Sequence, residues 1–409
     1  MNTIEHVVVI GGGLAAAKTA EALREDDFEG TITLISAEKH LPYERPSLSK
    51  DYLAGKSSFD DALVHPVEWY RDNEVTVREG TTATAVEPSG HTVTLADGSS
   101  LAYDKLVLAT GSAARHLPIE GADADGIHYL RTVEESDAIH QTFGEGKKLV
   151  IIGGGWIGLE VASAARAAGT TVTILEGGKL PLLKVLGDEI AQVFADLHTS
   201  NGVDLRTEVK VEAITTVGAR VSGVRLADGE VVLADAVVIG IGVTPEVGLA
   251  EDAGLDVDNG VLVDASLRSS DPDIFAVGDI ANHQHPVLGH RVRVEHWATA
   301  LNQPAAAASA LLGNDTEYTE LPYFFSDQYD LGCEYIGHAS PGSYDRVVIR
   351  GKLADREFVA FWIDSENHIQ AAMNVNVWDV IDEIKPLISG HVVVDPEKLA
   401  DPKVAYAQL

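Results

Sequence analysis

Apolar residues run along the chain in short blocks that end at glycines. His6 to Ile10 form one block, Gly11 to Gly13 follow, and Leu14 to Leu23 is rich in alanine. A short apolar block bounded by turn residues predicts a buried strand, and the alanine-rich stretch predicts a helix. Residues 31–35 (Thr-Ile-Thr-Leu-Ile) predict the next strand. The order then recurs, with residues 148–152 as a strand, Gly153 to Gly155 as a turn, Trp156 to Ala168 as a helix and 171–175 as a strand. One strand–turn–helix–strand plan is used twice.

Each copy is followed by β-rich sequence. Residues 75–109 and 203–240 both close on an apolar strand after an Asp-Gly turn, Asp97-Gly98 in one and Asp228-Gly229 in the other. The last stretch departs from this plan. Val347 to Ile349 and Phe358 to Ile363 predict strands, 377–388 predicts a helix, and Ala305 to Ala308 lie in another helix. The expected class is α/β: two Rossmann-like dinucleotide-binding domains plus a C-terminal α+β domain. The boundaries expected are 1–115 with 241–320 for a discontinuous first domain, 116–240 for the second and 321–409 for the third.

Composition narrows the classes. A chain of 409 residues, 45% hydrophobic, has the size and apolar content for two or three globular domains. It has no long uncharged apolar run of the kind that spans a membrane, and the apolar block at the N-terminus is too short and lacks the basic flank of a secretory signal, so a cytoplasmic address is expected. The formal net charge of −33 disfavours nucleic acid as a partner and reads as a uniformly acidic surface. Cys333 is the one cysteine, which excludes an intrachain disulfide, a redox dithiol and a metal site built from several cysteines. No His, Asp or Glu spacing suggests a metal site.

The candidate chemistry lies at the two glycine turns. Gly11-x-Gly13-x-x-Ala16 and Gly153-x-Gly155-x-x-Gly158 each stand between a strand and a helix. One glycine permits the tight turn, the next lets the backbone approach a pyrophosphate, and the small third residue lets helix and strand pack closely, with phosphates held at the helix N-terminus. Glu38 follows the strand after the first turn and Glu176 closes the strand after the second. An acid there bonds ribose hydroxyls and repels a 2′-phosphate, so NADH is expected rather than NADPH, with Lys179 nearby to soften the preference. Two such units in one chain imply a retained dinucleotide and a reductant.

The motifs resemble those of the FAD-dependent ferredoxin reductases that serve oxygenases, which have the two-dinucleotide-domain, glutathione-reductase-like fold. Tyr43-Glu44-Arg45-Pro46-Ser47-Leu48-Ser49-Lys50 resembles the family's loop beside the flavin. Ala109-Thr110-Gly111 and Arg115 resemble its FAD strand end, and Leu130-Arg131-Thr132 a further FAD contact. Gly240-Ile241-Gly242-Val243-Thr244-Pro245 resembles the crossover back to the FAD domain, Val277-Gly278-Asp279 the segment that places Asp279 on FAD, and Glu295-His296-Trp297 the segment against the isoalloxazine. Leu14, Ala15, Ala83 and Ile157 complete the cofactor-binding set that the resemblance implies. It also pairs Lys50 with Glu160 next to the nicotinamide and puts cations, Arg45 and Lys50, where they stabilise reduced flavin.

The resemblance implies an FAD domain in 1–115 and 241–320 and an NAD domain in 116–240. It implies hydride transfer from NADH to flavin N5, then single electrons to an iron–sulfur ferredoxin, [2Fe–2S] or other, that feeds a cytochrome P450 or another oxygenase. A monomer is the family expectation. Three departures stand out: Glu38 falls one residue beyond the family's usual acid (Ala37 stands there), Phe325 occupies the place of the usual tryptophan, and His296 that of a frequent serine. His290, Arg291 and Arg293 form a small basic cluster, read either as a docking patch for an acidic ferredoxin or as ordinary surface charge. Rubredoxin reductase, NADH oxidase and NADH-sensing flavoprotein remain open as alternatives.

Overall fold

The computed structural model describes residues 4–409. The Cα positions divide into two compact units, one made of residues 1–45, 60–113 and 244–323, the other of 46–59, 114–243 and 324–409.

The first unit is built on a parallel sheet of five strands in the order Ile274–Ala276, Lys105–Leu108, His6–Ile10, Thr31–Ile35, Val75–Arg78. The central strand pairs in register with its neighbour from His6↔Thr31 to Ile10↔Ile35. Its residues are apolar on both faces because both faces are covered; Val7, Val8 and Val9 are fully buried. Each such side chain contributes about 1.5–3 kcal/mol of transfer free energy. The helix Leu14–Glu25 presents Ala16, Ala17 and Ala20, all fully buried, and methyl groups of that size let a helix approach its neighbours closely. Asp97-Gly98 forms the turn between strands Thr92–Leu95 and Ser100–Ala102 of a small antiparallel sheet, with Gly98 at φ +83° and the Asp97 carboxylate accepting from the backbone N–H of Ser99.

The second unit repeats the plan. Its parallel sheet runs Asp204–Arg206, Thr171–Leu175, Lys148–Ile152, Ala236–Ile239, Ile127–His128. A five-stranded C-terminal sheet, Tyr323–Gln328, Leu331–Gly337, Ile369–Val375, Glu357–Ile363, Arg346–Lys352, shares a core with it: Phe194, Leu159 and Ile151 lie in one cluster with Phe358, Trp362 and Met373. The helix expected at 377–388 begins later, at Ile381–Ser389. The four residues before it include Trp378, whose ring packs over Gly332, and Asp379 at φ +62°, a conformation no helix adopts. Among the described residues no helix is long and apolar enough to cross a membrane.

Each unit buries a histidine whose charge its surroundings oppose. Burial pushes His283 in the first unit and His198 in the second down to about 4. Between the ordinary histidine value and 4 the unfolded chain takes up protons that the folded chain refuses, so stability is present above pH 6.5 and is lost as pH falls toward 4. Melting temperature measured against pH is expected to fall from pH 6.5 downward as these histidines take up protons on unfolding; a flat profile there would contradict these environments.

Candidate functional site

The two glycine turns are built by one device. Gly11, at φ +150°, has the carbonyl oxygen of Ala109 where a Cβ would stand, 2.2 Å away; Gly153, at φ +107°, has the Gly240 carbonyl in the same relation at 2.3 Å. Neither position admits a side chain. Gly13 and Gly155 differ: a Cβ on either would meet nothing within 4 Å. Both are N-cap residues in extended backbone, neither helix is capped by a side chain, and no acid stands in either first turn. The N–H groups of Leu14 and Ala15 in one unit, and of Trp156 and Ile157 in the other, belong to an uncapped helix end that faces open space. Gly158 could not be larger, since its Cβ would lie 2.3 Å from the Gly153 carbonyl, whereas Ala16 fits fully buried at the corresponding place. Two cradles of this kind fit the pyrophosphates of two dinucleotides.

The acids that follow are held differently. Glu176 accepts the N–H of Gly154 at 2.7 Å on one oxygen and that of Gly178 at 2.6 Å on the other, so its carboxylate is fixed at the second cradle with a lone pair left on each oxygen. Lys179 pairs with Asp188 at 2.8 Å, both well exposed. Glu38 instead accepts Arg45 at 2.5 Å and the Tyr43 hydroxyl at 2.5 Å. Burial disfavours the charge on Arg45, yet Glu38, Tyr43 and Asp279 together hold its guanidinium more firmly protonated than usual.

Asp279 stands in the short turn Gly278–Ile280, with Gly278 at φ +76°, its N–H donating to Gln303 at 2.8 Å; a Cβ at Gly278 would stand 3.2 Å from the methyl group of Ala15 in the first cradle. Thr110 donates to the Glu246 carbonyl at 2.8 Å, and the Gly111 carbonyl accepts from the N–H of Glu246. Ala83 opens the strand Ala83–Glu87 and is partly buried against the first unit's core. Trp297, half-buried, opens the helix Trp297–Leu311 and donates its indole N–H to Glu44 at 3.0 Å; His296 is that helix's N-cap, and Glu295 pairs with Arg293 at 2.7 Å. Arg293 also donates to the Asp279 carbonyl, and Arg291 to those of Val263 and Asn282. The basic cluster is thus spent largely on internal bonds rather than spread as a free patch.

In the second unit Arg115 donates through Nε to the Val243 carbonyl at 2.8 Å and through its backbone N–H to Gly242, which is at φ +102°. The Arg131 N–H donates to Glu135, the N3 residue of a capping box closed by Thr132. The densest chemistry surrounds Glu160. It sits on the helix Trp156–Ala167, is 5% exposed, and pairs with Lys50. Ser49 donates to its other oxygen at 2.5 Å, and Ser326 donates to the lysine-facing oxygen at 2.6 Å. The Lys50 ammonium also stands 5.4 Å from the centre of the Phe325 ring, within cation–π range. Cys333 is buried, its thiol pushed up by that burial and donating to the Ser326 carbonyl. A thiol so placed is a poor nucleophile.

The sequence does not single out Ser326, and it marks Ser49 only as part of the Tyr43–Lys50 motif. Gln303 gave no signal, because a glutamine in an alanine-rich helix reads as surface.

Residues 5–304 match the pyridine nucleotide-disulphide oxidoreductase family and residues 323–409 the reductase C-terminal family. The chain belongs to the pyridine nucleotide-disulphide oxidoreductases. It is 41% identical, over 97% of each chain, to the ferredoxin–NAD(+) reductase component of the anthranilate 1,2-dioxygenase system of Burkholderia cepacia. It is 36% identical to putidaredoxin reductase of Pseudomonas putida, over 100% of this chain and 97% of that one. Its fold matches the reductase in the covalent putidaredoxin reductase–putidaredoxin complex with a TM-score of 0.95 at 35% identity, covering 99% of this chain and 98% of the other.

Proposed function

We propose that this protein is an FAD-dependent NADH:ferredoxin oxidoreductase that supplies electrons to a cytochrome P450 or another oxygenase. One observation carries the reading: two open glycine cradles share a chain whose single cysteine is buried and inert. Two dinucleotide sites without an internal dithiol send the electrons to an outside acceptor, and the relatives, named for ferredoxins and oxygenases, support an iron–sulfur protein as that acceptor. FAD, when bound, accepts the hydride of NADH and yields its electrons singly.

In this reading the first unit holds FAD. Gly11, Gly13, Leu14 and Ala15 take the pyrophosphate; Glu38, Ala83, Ala109, Thr110, Gly111, Gly278 and Asp279 complete the site with Arg45, Glu295, His296 and Trp297. Gly153, Gly155, Ile157, Gly158 and Glu176 of the second unit take NADH. Lys50 and Glu160 keep a fixed positive charge in place for the reduced state of the cofactor. Hydride transfer asks for placement rather than for an acid or base. A cytoplasmic location, where NADH is made and used, and a monomeric state go with this reading.

The test is an anaerobic titration of the yellow protein with each nucleotide. NADH is expected to bleach the flavin at far lower concentration than NADPH; equal or reversed preference would remove Glu176 from the ribose. Glu176→Ser is expected to cut the NADH preference by about 10–100-fold, the worth of one charge-assisted hydrogen bond, read as the ratio of kcat/KM values for the two nucleotides.

A further inference from the structure

Glu160 is nearly enclosed, and as a carboxylate it can only accept hydrogen bonds. That condition propagates through its neighbours. Ser326 has one hydroxyl proton, and at 2.6 Å from Glu160 Oε1 that proton points at the carboxylate. Ser326 Oγ therefore meets Gln328 as an acceptor, 3.1 Å from Nε2. The other end of the amide, Oε1, then lies 2.9 Å from His198 Nε2, and an amide oxygen cannot donate. His198 must carry its proton on Nε2. Its Nδ1 is left to accept, and the Tyr329 hydroxyl donates to it at 3.4 Å. One carboxylate thus sets every proton along Tyr329, His198, Gln328 and Ser326, and each of them points toward Glu160.

Three elements of the second unit build this chain. His198 comes from the helix Asp188–Ser200, and Ser326 and Gln328 from one face of the strand Tyr323–Gln328. Tyr329 begins the turn that follows, anchored by its N–H to Ser163 of the Glu160 helix at 3.0 Å. Ser326, Gln328 and His198 are each at most 1% exposed. A carboxamide does not pass protons along such a chain, since its oxygen would have to be protonated first, so the chain orients and does not conduct.

We propose that Gln328 and His198 are positioning residues for Glu160, acting through Ser326 to hold its carboxylate in the rotamer that pairs with Lys50. The proton order is a property of the folded chain alone; its kinetic consequence rests on the reductase reading above.

The direct measurement is nitrogen NMR of the FAD-loaded protein labelled with 15N-histidine at pH 7. His198 is expected with a protonated Nε2 and a bare Nδ1; a proton on Nδ1, or on both nitrogens, overturns the proposal. The second measurement is stopped-flow reduction of the flavin by NADH. His198→Phe and Gln328→Met are expected to lower the limiting rate about tenfold, the scale of a small misplacement, with the NADH dissociation constant within about twofold of wild type. His198→Gln, whose amide N–H stands in for the imidazole Nε2–H, is expected to restore the rate. A wild-type rate in His198→Phe, or a His198→Gln variant as slow as His198→Phe, overturns the proposal. If NADH bleaches no form of the protein, the reductase reading falls, and the His198 tautomer alone decides the positioning chain.

Discussion

Gly13→Asp is expected to purify as a folded, colourless protein, and Gly155→Asp as a yellow protein that NADH no longer bleaches at ordinary concentrations. Both glycines face open space, and both have extended backbone that any residue adopts. Both are also N-cap residues, where aspartate is among the preferred side chains and strengthens the helix over glycine by about a few tenths of a kcal/mol. The fold therefore has no reason to object. A dinucleotide does: the new carboxylate stands where the pyrophosphate approaches, and two like charges about 4 Å apart at an effective dielectric near 20 repel by about 4 kcal/mol, roughly a thousandfold in affinity. Flavin content and the concentration of NADH needed for bleaching read the two effects separately. Alanine at Gly11 or Gly153 makes the contrast, because there a Cβ collides with a backbone carbonyl and folding itself suffers. If Gly13→Asp keeps its flavin and Gly155→Asp its response to NADH, the cradles do not hold the phosphates.

The second large effect concerns the ion pair. Glu160→Ala is expected to destabilise the protein by about 3–5 kcal/mol, the cost of leaving the partner charge of a buried pair uncompensated, or on the order of 10 °C in the melting temperature of the second unit. Lys50 is 14% exposed, and Ser49 and Ser326 lose their acceptor at the same time. The rate of flavin reduction by NADH is expected to fall about a hundredfold, as a loss of placement. Lys50→Met is the milder change in stability, because Glu160 keeps two hydroxyl donors. A Glu160→Ala protein that melts and reacts like wild type would show the pair to be incidental.

Much of this architecture was legible in the chain because it obeys local rules. An apolar run before three glycines can hardly be anything but a buried strand entering a turn, and both units show it. The acid at Glu176 was readable for the same reason, being placed by the end of a strand. The surroundings of Glu160 were not. Helical periodicity leaves a glutamate free to face water, and only the arrival of Lys50, Ser49 and Ser326 from distant sequence makes a buried carboxylate tolerable. Ser326 and Gln328 mislead further. Polar residues two apart on a strand suggest its wet face, yet here Asp327 between them is the exposed one. The pattern is inverted because the polar face packs on a charged residue of another element. Arg291 and Arg293 mislead in the opposite sense: a basic cluster in an acidic sequence suggests a partner, but carbonyls within 30 or so residues consume it.

The electron acceptor defines the activity. The most direct measurement is steady-state NADH oxidation by the FAD-loaded protein with a [2Fe–2S] ferredoxin, against oxygen alone. Rapid ferredoxin reduction with NADH, and little NADH consumed with oxygen alone, is the result predicted. NADH consumed as quickly by oxygen alone, or a reduced protein that holds its electrons in the presence of ferredoxin, would contradict it.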